Sequence, residues 1–266
     1  MKLIESKVEV IEQQPGLEGV YKQVELAGRT CYKSEDKITE DSAKGFVDRM
    51  IGSKHGAMLE HGTVYLLIRD CDETDTHINE YMSNPYTRVN SVGNWWYVTT
   101  NLRVLVENDW MHDLLYYLSE PTEHHEKRIT ARFTCDMGVG RELTRHRTLS
   151  FAQESTRYCN YGKSKFGAEL TFIRPEWYKK TLENTHAGFE HFLESAQEIY
   201  IALLDQGYVA QEARQVLPLA LKTEIVVTGF ESDWEHFFEL RTAGAAHPDM
   251  RKLALELQEK LNSVNK

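Results

Sequence analysis

Two periods of hydrophobic residues alternate along this chain, and their alternation constrains the fold more than any other feature of the sequence. Residues 128–135 place apolar side chains at every second position, which is typical of a strand with one buried face. Residues 189–203 repeat apolar side chains every three or four positions, which is typical of an amphipathic helix. The sequence therefore predicts an α/β (α+β) fold, in which a central mixed or antiparallel sheet is flanked by long helices.

The same patterns predict the remaining elements. Apolar, β-rich runs predict strands at residues 3–11, 63–69, 95–100, 128–135 and 223–230. Helical runs are predicted at residues 39–52, 109–118, 137–147, 175–207, 209–218, 232–241 and from 248 onward. Thr39 is expected to cap the first helix, Ser232 and Glu235 to form a capping box, and Pro218 to lie inside a helix. Residues 70–94 are polar and are expected to form a loop.

Charge and composition exclude several classes of protein. The 266 residues carry a net charge of −10, whereas a general nucleic-acid binder needs a basic face. No apolar run reaches the ~18–20 residues that cross a bilayer, and the charged N-terminus does not resemble a signal peptide. We therefore expect a cytoplasmic protein without nucleic-acid or membrane partners. It is expected to fold as one domain over residues 1–266, with an insertion at about 70–125.

The cysteines and histidines do not have the spacing of a metal site. Cys31, Cys71, Cys135 and Cys159 are far apart and form no Cys-x-x-Cys pair. A zinc site needs three or four ligands that converge. We therefore expect reduced thiols and no bound metal.

The segment from Arg141 to Tyr158 concentrates positive charge in an acidic chain. It holds four of the fifteen arginines and no lysine. Arginine offers paired, planar donors that fit a phosphate or a carboxylate. The predicted helix 137–147 would place Arg141 and Arg145 on one face, where they repel each other unless an anion binds between them. The alternative is a solvated basic helix end, and the residues alone do not decide between the two.

A second arginine interrupts an apolar stripe. Trp234, Phe237 and Phe238 repeat at helical spacing, and the next position of the stripe is Arg241. A cation on a buried face needs an acceptor, because burial without one costs several kcal/mol, roughly. The acceptor would be a bound anion or a structural carboxylate such as Glu239 or Glu212. Arg214, beside another apolar stripe, is expected to be partly buried in the same way.

These residues carry a resemblance to a known family. Arg145-His146-Arg147, seven residues and Ser155 form the run RHRTLSFAQES, which resembles the RHR-x7-S signature of the flavin-dependent thymidylate synthases (ThyX). Further runs are similar to the same family, and together they span most of the chain outside residues 70–125: AGRTCYKS, LEHGTV, FTCDMGVGRELTRHR, STRYCNYGKSKFGAELTFIRP, ARQVLP and FFELR.

The resemblance implies a function and an assembly. Members of this family transfer the methylene of 5,10-methylenetetrahydrofolate to C5 of dUMP and reduce it with a hydride from FADH2, which NADPH regenerates. The products are dTMP and tetrahydrofolate. The family implies FAD as cofactor, NADPH as reductant and a homotetramer whose active sites lie at subunit interfaces.

The family's binding residues map onto this sequence. The resemblance implies that dUMP is bound by Glu142, Leu143, Thr144, Arg145, Gln153, Glu154, Ser155, Thr156, Arg157, Arg214 and Arg241. It implies that FAD is bound by His61, Thr63, Arg145, His146, Arg147, Gln153, Phe230, Ser232 and His236. Phe230, Ser232 and His236 stand where the family often has Asn or Arg, which changes the polar groups offered to the adenine end of FAD.

The residue chemistry assigns roles within that set. Arg157, Arg214 and Ser155 are suited to the dUMP phosphate, and the RHR arginines to the flavin. Arg241 is expected to be catalytic, because a fixed cation at the uracil edge makes C5 more electron-rich. Ser155 has no apparent base and orienting partner, and Cys159 has no evident pKa-lowering setting, so neither is expected to be a nucleophile.

Alternatives remain open at the sequence level. The chain could be a catalytically inactive flavin- or nucleotide-binding homologue, or an RNA-binding module that uses the arginine patch. The tryptophans of residues 70–125 could form extra core or oligomer contacts, or an aromatic wall for folate or NADPH.

Overall fold

A computed structural model describes residues 1–71, 74–162, 169–180 and 186–264. Part of the family-like run from Ser155 to Pro175 and part of the predicted helix 175–207 lie outside the described residues. No helix in the described part of the chain is both long and apolar enough to cross a membrane.

Strands and helices alternate along the chain, as their hydrophobic periods predict. The strands are β1 (Lys2–Ile4), β2 (Lys7–Ile11), β3 (Thr63–Arg69), β4 (Arg88–Val92), β5 (Trp95–Asn101), β6 (Arg128–Asp136), β7 (Ser150–Gln153), β8 (Thr171–Ile173) and β9 (Lys222–Phe230). The helices are α1 (Gly16–Tyr32), α2 (Ser42–Gly52), α3 (Asp75–Ser83), α4 (Leu102–Glu107), α5 (Asp113–Tyr116), α6 (Met137–Leu143), α7 (Ala187–Asp205), α8 (Ala210–Ala213), α9 (Glu231–Arg241) and α10 (Pro248–Val264).

A four-stranded antiparallel sheet, in the order β2-β6-β9-β7, carries most of the candidate site. Strands β6 and β9 pair along their whole length, with Arg128 opposite Phe230 and Asp136 opposite Lys222. The short strand β7 pairs with the other side of β9. The sheet therefore places the start of α9, which follows β9, beside the start of β6.

Two smaller sheets complete the fold. Strands β3, β5 and β4 form an antiparallel sheet, and β1 pairs with β8 in parallel. The described strands thus include both parallel and antiparallel pairs, as the sequence predicts. The mixed pairing is divided among three sheets rather than gathered in one.

Three buried clusters hold these layers together. Helix α1 packs against α2 and against β7 and β9, and a buried cluster that includes Val24, Phe46 and Leu66 joins these helices to the three-stranded sheet. Helices α9 and α10 cover the four-stranded sheet, where Trp234 and Phe237 are buried. Helix α7 packs through Leu193 and Tyr200 near β8. Helix α9 is therefore fixed against the sheet along the stripe that ends at Arg241.

Several sequence-based boundaries are wrong. Residues 70–94 were expected to form a loop, but they contain α3 and β4, and Ile78 and Tyr81 of α3 are buried. Helices α1 and α4 were not predicted at all. Helix α7 begins at Ala187, and Pro175 precedes a short 3₁₀ turn. A polar helix with a narrow buried stripe resembles a loop when only its average polarity is considered.

The expected helix caps are also wrong. Helix α2 begins at Ser42, so Thr39 lies outside it. Helix α9 begins one residue before Ser232, whose hydroxyl donates to Glu126 at 2.5 Å and therefore does not cap the helix. Pro218 lies beyond the end of α8 and of the 3₁₀ turn that follows, so it does not distort a helix.

Candidate active site

The arginine-rich segment runs from α6 along the surface into β7. Because α6 ends at Leu143, Arg145 lies outside the helix and does not share a helical face with Arg141, which corrects the prediction from spacing. Arg141, Arg145 and Arg147 are exposed, and none has an ion-pair partner among the described residues. The two carboxylates of the segment pair elsewhere, Glu142 with Arg241 and Glu154 with Lys222. The segment therefore presents uncompensated positive charge.

Arg241, the last residue of α9, reaches the end of α6. Its Nη1 donates to Glu142 Oε2 at 2.6 Å, its Nη2 to the Glu142 carbonyl at 3.1 Å, and its Nε to His146 Nε2 at 2.9 Å. The acceptor is thus Glu142, not Glu239 or Glu212 as the helix pattern had suggested. These three bonds fix the plane of the guanidinium, which is 17% exposed.

His146 is held as a neutral imidazole. Its Nε2 accepts the hydrogen bond from Arg241, so the ring proton lies on Nδ1. Burial and the charge of Arg241 lower the pKa of His146 to about 4. The ring also packs edge-on against Phe237, with 5.1 Å between centroids. The middle residue of the RHR run therefore supports Arg241 and adds no charge of its own.

A second cluster follows β7. Arg214 Nη1 donates to Thr156 Oγ1 at 3.3 Å, and the Arg157 amide donates to Ser155 Oγ at 3.3 Å. The Ser155 amide donates to the carbonyl of Cys31 at the end of α1. Arg157 and Arg214 are exposed and have no ion pair with a described carboxylate. Arg214 is thereby brought to the loop that carries Ser155, Thr156 and Arg157, and these residues offer donors suited to a phosphate.

Other predicted dUMP residues point their side chains inward. Glu154 is buried, accepts from Tyr161 at 2.7 Å and pairs with Lys222 at 2.9 Å. Leu143 is buried in the core. Gln153 Nε2 lies 3.3 Å from Thr223 Oγ1. Thr144 is exposed and donates to the Arg141 carbonyl. The side chains of Glu154 and Leu143 are committed to the fold. So are the Glu154 amide, which donates to the Glu224 carbonyl, and the Leu143 carbonyl, which accepts from the His146 amide.

The predicted flavin residues are divided between the surface and the interior. Ser232 and His236 are exposed on α9. His61 is buried, with Nδ1 2.8 Å from Thr228 Oγ1, and burial followed by the charge of Arg128 lowers its pKa to about 3. Thr63 is buried at the start of β3. A cofactor would reach His61 only after its neighbours move.

Phe230 is buried between two cations. The guanidinium carbon of Arg88 lies 4.5 Å from its ring centroid, and that of Arg128 lies 5.4 Å away. The aromatic ring therefore interacts with arginines where a polar residue would offer a hydrogen bond.

The thiols and hydroxyls near the site are not activated as nucleophiles. Cys159 is buried, and burial together with nearby Glu154 raises its pKa to about 12, so it is a thiol at neutral pH. Ser155 Oγ accepts a backbone hydrogen bond, and none of the described histidines hydrogen-bonds to it. These surroundings disfavour covalent catalysis through either residue.

Neither of two cavities formed by the described residues gathers the candidate set. A cavity of about 600 Å³ lies between β2, β6, α9 and α10, and Thr63 is the one predicted residue that lines it. A groove of about 490 Å³ beside α1 is lined by none of them. The arginine clusters instead lie on an open face.

The sequence analysis did not identify the basic side chains that line this second groove as a candidate binding surface. Arg29, Lys33 and Lys37 recur every fourth residue, a spacing that could have indicated a cationic surface, and Arg49 joins them from α2. Among the described residues, no three histidine, cysteine or carboxylate side chains are grouped as metal ligands would be.

The amino-acid sequence of this chain is similar to those of known proteins. The family model described as thymidylate synthase complementing protein matches residues 108–265. A flavin-dependent thymidylate synthase of Pyrococcus abyssi (strain GE5 / Orsay) is 24% identical over 229 residues, which are 86% of this chain and 66% of that protein. The protein of the same name from Corynebacterium glutamicum is 24% identical over 261 residues, 94% of this chain and 79% of that protein. A third, from Geobacter sulfurreducens, is 34% identical over 123 residues, 46% of this chain and 51% of that protein.

Proposed function

This chain belongs to the flavin-dependent thymidylate synthase family, and we propose that it is an active methyltransferase of that family. In this proposal it transfers the methylene of 5,10-methylenetetrahydrofolate to C5 of dUMP, with FAD as its flavin and NADPH as reductant. The products are dTMP and tetrahydrofolate.

The observation that carries the proposal is the position of Arg241. Its guanidinium is partly buried and held by Glu142 and His146 at 2.6–3.1 Å, although it projects from an apolar helix face. A cation fixed in this way needs little reorganisation when negative charge develops on a uracil carbonyl. Arg241 would draw charge toward the pyrimidine edge as C5 attacks the methylene carbon.

The second cluster would hold the nucleotide. Arg157 and Arg214 have no carboxylate partner among the described residues, and the hydroxyls of Ser155 and Thr156 lie beside them. This donor set suits a phosphate monoester. We propose that Glu142, Thr144, Arg145 and Gln153 complete the contacts, and that Leu143 and Glu154 shape the site from within the fold.

The residues present are compatible with a flavin. Arg145 and Arg147 present positive charge that no described carboxylate neutralises, which suits the electron-rich edge of a flavin ring and its phosphates. Bound flavin would supply the hydride that turns the transferred methylene into a methyl group. We propose Ser232 and His236 as exposed contacts for FAD, and Thr63, His61, His146, Gln153 and Phe230 as residues that shape its site.

We infer that the site is completed by another subunit of a cytoplasmic homotetramer. The arginines of both clusters lie on an open face, and the two cavities described above gather only Thr63 from the predicted set. A neighbouring subunit would exclude water from this face and strengthen the electrostatic interactions.

An assay of product formation tests the proposed function. Protein reconstituted with FAD is supplied with dUMP, methylenetetrahydrofolate and NADPH under anaerobic conditions, and dTMP is measured. We expect dTMP and tetrahydrofolate in equal amounts. Protein that binds flavin and dUMP but forms no dTMP would be the inactive homologue, which the full set of arginines disfavours.

A further inference from the structure

The groove beside α1 is a cationic surface that the proposed active site does not use. Its volume is about 490 Å³, and it lies between the end of α1, helix α2 and the loop after β7. Four of the residues that line it are cations and none of its described lining residues is a carboxylate: the cations are Arg29, Lys33, Lys37 and Arg49. We call this surface the basic groove.

Two of the four cations are already neutralised. Arg29 donates to Glu25 Oε1 at 3.1 and 3.0 Å, and Lys33 pairs with Glu224 at 2.9 Å. Lys37 and Arg49 are exposed and have no ion-pair partner among the described residues. The basic groove therefore keeps uncompensated positive charge, although the chain as a whole is acidic.

Aromatic rings form part of the groove wall. Tyr32 and Tyr158 lie 5.7 Å apart between centroids, and the ring of Tyr158 is largely exposed. The guanidinium carbon of Arg49 lies 5.7 Å from the ring centroid of Phe46. Cations placed over rings beside an open groove can contact both the charged and the planar parts of a ligand.

The basic groove adjoins the loop that we propose to hold the dUMP phosphate. The Ser155 amide donates to the carbonyl of Cys31 in α1, at 2.9 Å. The guanidinium carbon of Arg157 lies 5.4 Å from the ring centroid of Tyr158, which lines the groove. Positive charge thus continues from the proposed nucleotide site into the basic groove.

We propose that the basic groove binds the polyanionic extension of a co-substrate, a row of carboxylate or phosphate groups. The inference rests on the proposed function, because that function brings a second anionic substrate to the neighbouring site. Two sources carry this chemistry: the γ-linked glutamates of a folate tail and the phosphates of NADPH. Lys37 and Arg49 would contact the anions directly, and Arg29 and Lys33, which are already paired with carboxylates, would line the groove without adding net charge.

Direct binding to the flavin-loaded protein tests this proposal. The two probes are γ-linked pentaglutamate and adenosine 2′,5′-bisphosphate, each titrated separately by calorimetry. We compare the wild type with Lys37→Glu/Arg49→Glu and with the control Lys2→Glu/Arg69→Glu. The control changes net charge equally at exposed cations that also lack ion pairs among the described residues.

We expect at least one probe to bind and Lys37→Glu/Arg49→Glu to weaken it at least about tenfold, since each lost charge-assisted contact is worth roughly that factor. The control pair should leave its affinity unchanged. Binding of pentaglutamate alone assigns the groove to the folate tail, and binding of the bisphosphate alone assigns it to NADPH. The same variant should raise the KM of that co-substrate and leave kcat and the KM of dUMP unchanged.

Three results would overturn the proposal. One is that neither probe binds. The second is that both double variants weaken binding equally, which would indicate a general charge effect. The third is that Lys37→Glu/Arg49→Glu releases the flavin, which would assign the groove to the cofactor. Failure of the proposed function is a separate result. If the protein binds a probe specifically but forms no dTMP, the proposed function is contradicted and the anion-binding role of the basic groove is not.

Discussion

Arg241 has a structural role in the fold, and we propose a catalytic role for the same side chain. Its three hydrogen bonds to Glu142 and His146 stabilise a partly buried cation, and they also orient it toward the arginine-rich loop. A guanidinium held in place can stabilise developing charge without first reorganising its surroundings. The role that we propose for Arg241 therefore leads to a specific prediction about its replacement.

Replacing Arg241 with alanine is expected to lower kcat for dTMP formation about 100- to 1000-fold, as for other fixed charge-stabilising donors. The cause would be the loss of a cation at the uracil edge, so the flavin content should remain unchanged. Steady-state kinetics and the visible spectrum measure the two effects. Arg69→Ala, which removes an exposed arginine from β3, is the matched control and should keep wild-type kcat. Equal activity of both variants would remove Arg241 from the mechanism.

The sequence predicts that Arg241 needs an acceptor but does not identify it. Helical spacing places Arg241 on the apolar stripe of Trp234 and Phe237, and the structure confirms that both are buried. Glu142 lies 99 positions earlier, and its approach depends on how β6, α6 and β9 pack. Periodicity describes one element at a time, so it cannot identify contacts between elements.

At the scale of elements, the strands were easier to predict than the helices that cover them. The alternation in β6 and the apolar run of β9 are strong local signals, and both strands are confirmed. Helix α1 was missed because it contains Gly19 and Gly28, which weaken helical propensity. The buried residues Val20, Val24 and Ala27 nevertheless repeat at helical spacing, so this stripe could have indicated the helix.

Gly28 allows α1 to approach α2 closely. A Cβ at this position would lie 2.3 Å from Cζ of the buried Phe46. We expect Gly28→Ala to lower the free energy of unfolding by about 1–3 kcal/mol, because overpacking outweighs the better helix propensity of alanine. Urea unfolding measures the change. Gly45→Ala in α2, where the nearest atom lies 3.7 Å away, should leave stability equal or slightly raised.

A buried polar cluster joins α3, which lies in the segment expected to be a loop, to α5, which was expected to be helical. Asp113 Oδ2 accepts from Tyr81 at 2.6 Å and lies 2.6 Å from His77 Nε2. Burial lowers the pKa of His77, but hydrogen bonds to Asp113 and Glu80 raise it by more, so the net shift is upward from 6.5.

A raised pKa in the folded state means that this interaction stabilises the protein fully below pH 6.5 and is lost as the pH rises through the folded pKa. We therefore expect the free energy of unfolding to fall above pH 6.5, and His77→Gln to reduce that dependence. Urea unfolding across this range measures it, with the exposed His191→Gln as control. An identical pH dependence in His77→Gln and the wild type would contradict the assignment.

At the scale of the whole molecule, four arginines that we propose as ligand contacts lie on the surface of a single chain. Arg145, Arg147, Arg157 and Arg214 are all exposed. Large apolar side chains are exposed as well, including Phe192 and Ile199 on α7. Both belong to the apolar repeat of residues 189–203. An apolar stripe indicates a helix face that is buried by a neighbouring element, and that neighbour can belong to another chain.

The proposed homotetramer predicts a particle four times the mass of the 30.9 kDa chain. Light scattering of the purified protein measures this mass directly. We expect the double variant Phe192→Glu/Ile199→Glu to reduce the assembly and its turnover together, since apolar faces of this kind favour association. A monomeric wild type with full turnover would contradict a site shared between subunits.

The most direct test of the central claim is the visible spectrum of the reconstituted protein under anaerobic conditions. The account predicts a bound flavin whose absorbance bleaches with NADPH in the presence of dUMP. It also predicts that methylenetetrahydrofolate restores the absorbance while an equal amount of dTMP appears. Protein that binds no flavin after reconstitution, or flavin that is reoxidised without dTMP, would contradict the account.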